Sequence, residues 1–372
     1  MALRPQVHFT PEYGWINDPN GLIFYKGRFH IFFQHNPKGL VWDHMHWGHA
    51  VSEDLVHWQE LPIALYPDEM GDIYSGSCIY DADNISGLGD KETPPLLAFY
   101  TSHHPKTQRE QQCLAYSLDG IRFVKYEGNP IIKGYEHIPA RDPQVFANRI
   151  RGGFSMCITR ERFVEFYHSA NLLDWEKTGE YHLPEYAFSG MIECPCMTFP
   201  EVEGEDEQKA LFLLSMDVPE GEFQKFPEKC QPHSRLMQYF VGEFDGNTFQ
   251  QTDTIQEPQL VDYGASFYAG TVFSGCKDTI LMAWLGNAKE SMLIPTEKEG
   301  FRGVLSFPRK LSLVKRENTY RLKQTFWEAD LGKASDVYFA KENGMTTLRD
   351  HHITEIISDG GLRVDTNYRF DM

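Results

Sequence analysis

Three acidic residues stand in surroundings that could make them chemical groups. Asp18 lies in the run WINDPNG, residues 15–21, bracketed by a proline and a glycine, with asparagines before and after it. A plain Asn-Asp-Pro turn would account for the run. Aromatic and amide neighbours are equally what a carboxylate facing a sugar would use, since they supply a stacking plane and hydrogen bonds to hydroxyls. Asp142 follows Arg141 and precedes Pro143. An adjacent guanidinium would lower the acid's pKa and hold it ionised, and the competing reading is a surface Arg-Asp pair in a turn. Glu193 lies in GMIECPC, residues 190–196, among apolar and weakly polar neighbours. Such neighbours would raise a carboxyl pKa by desolvation and suit a general acid, whereas a polar strand edge is the alternative. An ionised carboxylate to attack an anomeric carbon and a protonated one to release the leaving oxygen are the two groups that glycoside hydrolysis needs.

The elements that would position these acids read as strands. Aromatic residues make up 14% of the 372 residues, spread through short alternating runs punctuated by Gly, Asn and Asp. That pattern predicts an all-β chain. Residues 22–25 and 28–33 read as two strands joined by a tight turn at Lys26-Gly27. A turn residue followed four places later by an aromatic recurs at Asp54/Trp58, Asp119/Phe123, Asn171/Trp175 and Asp245/Phe249, and a fifth hairpin turns at Glu317-Asn318. Five hairpins at intervals of about 50 to 75 residues predict radially arranged sheets, a propeller. Residues 201–209, with five acids, read as a solvated loop. Beyond Gln324 the chain becomes more polar and Gly-rich, which divides it into residues 1–325 and a short appendage, 326–372.

Seven ordered motifs carry a resemblance to a known family. They are WINDPNG (15–21), FQHNP (33–37), HWGHAVS (46–52), SGS (75–77), RDP (141–143), ECP (193–195) and DYG with FYA (262–269). In this order they resemble glycoside hydrolase family 32, over roughly residues 8–325, and its sucrose-6-phosphate hydrolase and β-fructofuranosidase branch in particular. The resemblance implies a five-bladed β-propeller followed by a β-sandwich, here shortened to a remnant, and hydrolysis of terminal β-fructofuranosides with retention. Carried over, Asp18 is the nucleophile, Glu193 the acid/base and Asp142 the transition-state stabiliser. Asn17, Gln34, Trp42, Ser75 and Arg141 match positions around the fructose pocket, and Asp262 and Trp284 match looser ones. For retention, the Asp18 and Glu193 carboxyls should stand about 5 to 5.5 Å apart. Ile192 and Cys196 stand where the family commonly has Trp and Asp, and Ala140 and Gln144 where it has Phe and Lys. Those changes are expected to border the leaving-group side. A catalytically weak fructoside-binding relative, and a fructosyltransferase or arabinosidase on the same propeller, remain as alternatives.

Composition narrows the partners. With 35 basic and 53 acidic residues the formal net charge is −18, which repels a phosphate backbone, so nucleic acid is not expected. No apolar run approaches the roughly 18 residues of a membrane helix. The N-terminus carries no apolar core with a cleavage site, so the expected compartment is the cytoplasm. Seven dispersed cysteines read as reduced thiols. His35, His44, His46 and His49 fall inside a family motif that binds no metal, so neither metal nor cofactor is expected. The expected partner is a small fructoside, with a homo-oligomer left open.

Overall fold

The turn-punctuated alternation of the sequence becomes six sheets, antiparallel but for one short parallel pairing. The computed structural model describes residues 3–369 apart from 189, 220–234, 253, 287–288, 333 and 335. The first sheet runs β1 (Gly14–Tyr25), β2 (Arg28–Asn36), β3 (His46–Ser52) and β4 (Trp58–Leu65). The second runs β5 (Asp72–Tyr80), β6 (Leu96–His104), β7 (Arg109–Ser117) and β8 (Val124–Lys125). The third comprises β9 (Arg141–Ala147), β10 (Phe154–Thr159), β11 (Phe163–Ser169) and β12 (Glu176–His182). The fourth comprises β13 (Met191–Thr198), β14 (Ala210–Asp217), β15 (Arg235–Phe244) and β16 (Phe249–Gln251). In the fifth, β17 (Tyr268–Val272) and β18 (Thr279–Trp284) are followed by the short β19 (Phe301–Arg302), which leaves to pair with β1. The sheet then resumes with β20 (Arg309–Arg316) and β21 (Thr319–Phe326). Among the described residues, helical turns are confined to 3₁₀ segments at Lys289–Leu293, Thr296–Glu299 and Asp359–Gly361.

The first strands of these five sheets form a closed ring: β1 packs on β5, β5 on β9, β9 on β13, β13 on β17, and β17 on β1. The wedge between each neighbouring pair of sheets is filled by its own apolar cluster. Phe32, Trp47 and Leu96 join the first and second sheets, and Phe166, Phe212 and Phe240 the third and fourth. The ring closes where Gly14 and Trp15 run parallel to Phe301 and Arg302, and where the Phe24 N–H donates to the Ser274 carbonyl and the Ser274 N–H to the Leu22 carbonyl across the seam.

The recurring turn-plus-aromatic pattern marks the corner into the outermost strand of each of the first four sheets. In each corner the Asx Oδ1 accepts the backbone N–H groups two and three residues on: Val56 and His57 for Asp54, Ile121 and Arg122 for Asp119, Leu173 and Asp174 for Asn171, Asn247 and Thr248 for Asp245. This is an Asx-turn, which explains why only Asp or Asn stands there. The aromatics Trp58, Phe123, Trp175 and Phe249 then drop into the wedges. The hairpins at Lys26-Gly27 and Glu317-Asn318 form as the sequence predicts, with Lys26 and Glu317 at positive φ. Residues 201–209 are mostly exposed, but Glu203 and Glu205 reach Lys323 and Lys315 of the fifth sheet at 2.7 and 3.0 Å. The six described cysteines are unpaired, and Cys230 lies outside the described residues.

The appendage is one four-stranded sheet, β22 (Val337–Glu342), β23 (Met345–Asp350), β24 (Ile353–Ser358) and β25 (Arg363–Tyr368), packed against β21. A sandwich needs two sheets face to face, and the described residues supply one here. A buried chain of charges fastens it. Asp350 accepts the backbone N–H groups of Gln6, Val7 and His8 and the His8 Nδ1 at 2.8 Å, and His8 Nε2 reaches Glu355 at 2.9 Å. Glu355 in turn binds Arg309, whose other arm meets Asp262 at 2.8 Å. Burial alone would lower the His8 imidazole, but Asp350 and Glu355 raise it to about 9.

Removing one member of this chain would strand buried charges. Arg309→Met is expected to lower the unfolding free energy by about 3–5 kcal/mol in urea titrations. The His8 contribution is complete below its unfolded pKa of about 6.5 and is lost as pH rises through about 9. His8→Gln should therefore lower the urea midpoint at pH 6 and flatten its decline between pH 6.5 and 9.

Candidate active site

Five of the seven sequence motifs reach the inner ring, with Asp18 on β1, Ser75 on β5, Arg141 and Asp142 on β9, Glu193 on β13 and Tyr268 on β17, while FQHNP and HWGHAVS lie on β2 and β3. Each acid sits at a local departure from regular strand. The β1–β2 register shifts between Ile16 and Pro19, a bulge at which Asn17 and Asp18 turn into the ring. Asp142 has φ of 62°, and on β13 the register shifts between Glu193 and Cys196 around Cys194, with φ of 47°. Left-handed backbone at non-glycine residues is strained, and such strain collects where a side chain must be aimed.

Asp18 is oriented entirely by neutral donors. Asn17 Nδ2 donates to its Oδ1 at 3.0 Å, Ser75 Oγ to its Oδ2 at 2.7 Å, and the Cys194 thiol to the same oxygen at 3.6 Å. Asn17 is itself held by Trp15 Nε1 at 2.8 Å. Glu193 has a different setting: Arg141 Nη1 lies 3.1 Å from its Oε1, and the Tyr268 hydroxyl donates to its Oε2 at 2.6 Å. Burial, reinforced by the Glu193 charge, keeps the Tyr268 phenol protonated well above its ordinary range, so it acts as a donor. Asp142 is buried, with the Cys194 N–H donating to its Oδ2 at 2.8 Å and its own N–H donating to Thr101 Oγ1 at 3.0 Å. One residue, Cys194, thus touches two of the three acids.

These groups open on one cleft of about 800 Å³, which Asn17, Gln34, Trp42, Ser75, Arg141 and Trp284 also line. Gln34 Nε2 and Trp284 Nε1 are buried N–H donors without a partner among the described residues, as suits a cleft that receives a ligand rich in hydroxyls. Trp42 stands at the rim, 52% exposed, edge-on to Tyr74, and Tyr74 stacks on His103 with centroids 4.4 Å apart.

The structure corrects several sequence expectations. Asp262 does not line the cleft; its carboxylate is consumed by Arg309, Thr366 and Gly264 at the seam with the appendage. Arg141 does not hold Asp142 ionised, because its guanidinium is turned toward Glu110 and Glu193. Burial first, then the Glu193 charge, raise the Asp142 carboxyl to about 8 against the lowering effects of Arg141 and the Cys194 N–H. Glu193 is not in an apolar sheath but pinned by a cation and a phenol. The unusual residues Ile192, Cys196 and Ala140 are buried in the cores between sheets, and Gln144 bonds the Met197 backbone, so none of them borders the cleft. Sequence reasoning passed over Tyr268, although it lies within the FYA motif, and Glu110, for which a lone acid in a strand gave no signal.

The model for the N-terminal domain of glycosyl hydrolases family 32 matches residues 8–325. A levanase of Bacillus subtilis is 37% identical over 327 residues, covering 87% of this chain and 46% of that protein. An invertase of Schizosaccharomyces pombe is 35% identical over 326 residues, covering 83% of this chain and 53% of that protein. The chain thus spans about half the length of these curated relatives. The crystal structure of an exo-inulinase from Aspergillus awamori superposes with a TM-score of 0.84 at 24% identity, covering 100% of this chain and 94% of that one. The fold is that of a β-propeller.

The raised Asp142 carboxyl makes a stability prediction. A carboxyl with folded pKa near 8 and unfolded pKa near 4 stabilises fully below pH 4, and that stabilisation is lost as pH rises toward 8. The urea midpoint of Asp142→Asn should fall less than that of the parent across this interval.

Proposed function

The chain belongs to glycosyl hydrolase family 32, and on that premise we propose that it is a retaining glycosidase that removes terminal β-D-fructofuranosyl residues. The observation that carries the reading is the pair of differently held carboxyls, Asp18 among neutral donors and Glu193 between Arg141 and Tyr268, facing one cleft. In the form of the enzyme in which Glu193 carries a proton, an Asp18 oxygen attacks the anomeric carbon as the bond to the leaving oxygen breaks, and Glu193 gives that proton to the leaving oxygen. Water then adds to the same carbon, returns a proton to Glu193 and frees Asp18. Asp142, protonated at neutral pH, donates to or accepts from fructose hydroxyls through its buried carboxyl. Asn17, Gln34, Ser75 and Trp284 hold the sugar, and Trp42 offers a stacking plane at the rim. The chemistry is acid–base and nucleophilic throughout and needs no cofactor. We read the five sheets of the ring as five blades and residues 326–372 as a separate appendage.

The cleft favours uncharged substrates. Asp18, Asp43, Asp72, Glu110, Asp142 and Glu193 line it, against Arg141 and Arg235 among the described residues. Arg141 is committed to two of those acids, and Arg235 lies 3.7 Å from Asp217. A phosphorylated leaving group would meet a net negative field. Sucrose or a fructan end is the better fit, in keeping with the relatives named levanase and invertase.

Two measurements test this reading. Asp18→Asn should abolish fructose release from sucrose, and Glu193→Gln should reduce kcat by roughly 10²–10⁴-fold, with the configuration of the first-formed fructose, followed by NMR, retained in the parent. Near-normal turnover by Asp18→Asn would overturn the assignment. In parallel, kcat/KM should be lower for sucrose 6-phosphate than for sucrose, the gap narrowing as salt is raised; equal values at low salt would refute the charge argument.

A further inference from the structure

Outside the three acids, one buried carboxylate is bonded to the site more fully than its place on the third ring-distal strand of its sheet predicts. Glu110, on β7, makes a two-point contact with Arg141: Oε1 lies 2.7 Å from Nη2 and Oε2 3.0 Å from Nε. That leaves Nη1 as the arm that reaches Glu193 at 3.1 Å. Oε2 also accepts the Ala140 N–H at 2.9 Å, and His103 Nδ1 lies 3.3 Å from Oε1. The Glu110 side chain is 3% exposed. Two residues along the same strand face, Gln112 grips the other side of the segment: its Nε2 donates to the Ala140 carbonyl at 2.7 Å, and its Oε1 accepts from Thr101, whose Oγ1 receives the Asp142 N–H. Strand β7 therefore clamps residues 140–142, the stretch in which Asp142 holds its left-handed backbone.

We infer that Glu110 is a positioning residue for the reaction proposed above, fixing the Arg141 guanidinium so that a single arm engages Glu193. The inference rests on that reading of Glu193 as the acid/base. A guanidinium free to swing could pair with Glu193 through both of its forward nitrogens, and a doubly paired carboxylate is a poorer proton donor. With Glu110 in place most of the fork is engaged from behind. The charged and titratable groups that face this clamp are His103 and Tyr74 from the second sheet, Arg141 and Asp142 from the third, and Glu193 from the fourth, with Asp18 and Asp72 nearby. Burial opposes ionisation of Glu110, yet His103, Arg141 and the Ala140 N–H together hold its carboxyl below the ordinary range. It therefore remains a fixed negative charge throughout the working pH range.

The experiment compares the full chain with Glu110→Gln, Glu110→Asp and Glu136→Gln. The last removes a negative charge from the exposed Arg109–Glu136 pair and serves as the control. Two readouts are taken: pH profiles of kcat and KM on sucrose, and a ¹³C-NMR titration of the carboxyls in the unliganded protein. Glu110→Gln is expected to lower kcat by roughly tenfold or more and to move the alkaline limb and the carboxyl titrations of the Asp142–Glu193 pair down by roughly one pH unit. Glu110→Asp keeps the charge but shortens the reach; it should lose kcat with a smaller titration shift. Glu136→Gln should behave as the parent does. A folded Glu110→Gln with parental kcat and unshifted titrations overturns the inference. If Glu110→Gln does not fold, parental behaviour of Glu110→Asp in both readouts overturns it equally. A parent that releases no fructose refutes the proposed function alone, since the titration still reports whether Glu110 controls the cluster.

Discussion

The site turns on one guanidinium among crowded carboxyls. Arg141 is the cation that Glu110 and Glu193 share directly, while Asp142 stands beside it and Asp18 lies close by. Like charges brought this near cannot all be ionised without compensation, and the compensation is unequal. Glu110 and Glu193 receive the cation, Asp18 receives neutral donors, and Asp142 receives mainly burial, so it keeps its proton to about pH 8. Unequal settings are what divide otherwise similar carboxyls into different chemical roles.

The ring of inner strands makes that crowding possible. Each sheet contributes its first strand to the centre, so residues far apart in sequence, such as Asp18 and Cys194, come into contact through strands that are otherwise regular. The irregular points fall at the acids themselves: the bulge at Asn17 and Asp18, and the left-handed backbone at Asp142 and Cys194. Regular pleating would send alternate side chains into the wedges between sheets, where Ile192 and Cys196 in fact go. The departures from regularity are therefore what turn acids inward. Strand β7, with Glu110 and Gln112, bears on the one at Asp142 from outside the ring.

A second set of buried charges shows that similar residue types can serve the scaffold instead. Asp262, Arg309, Glu355, His8 and Asp350 form a continuous chain that joins the N-terminal segment, the fifth sheet and the appendage. Here each acid is matched to a cation or to backbone N–H groups, and Glu355 is held at about 2 despite its burial, by Arg309 and His8. Paired completely, these groups fasten elements together; paired incompletely and facing open space, those of the inner ring are left to react.

Much was legible in the chain itself. Alternation, Asx corners and the Lys26-Gly27 and Glu317-Asn318 turns are local properties, set by side-chain period and backbone sterics within a few residues, and they located the strands and the spacing of the sheets. The ordered motifs likewise marked Asp18, Asp142 and Glu193. The proton affinities were not legible, because they depend on which charge lies within a few ångströms in space: Arg141 is next to Asp142 in sequence but reaches to Glu110 and Glu193 in the fold. Nor did any local pattern separate Glu110, which belongs to the site's support, from Asp262, which belongs to the seam. Residue type and neighbours along the chain determined which groups could be acids at the centre of a β-propeller. Only the closing of the ring decided which of them share a cation, a proton or an open face, because electrostatics and burial act through space rather than along the chain.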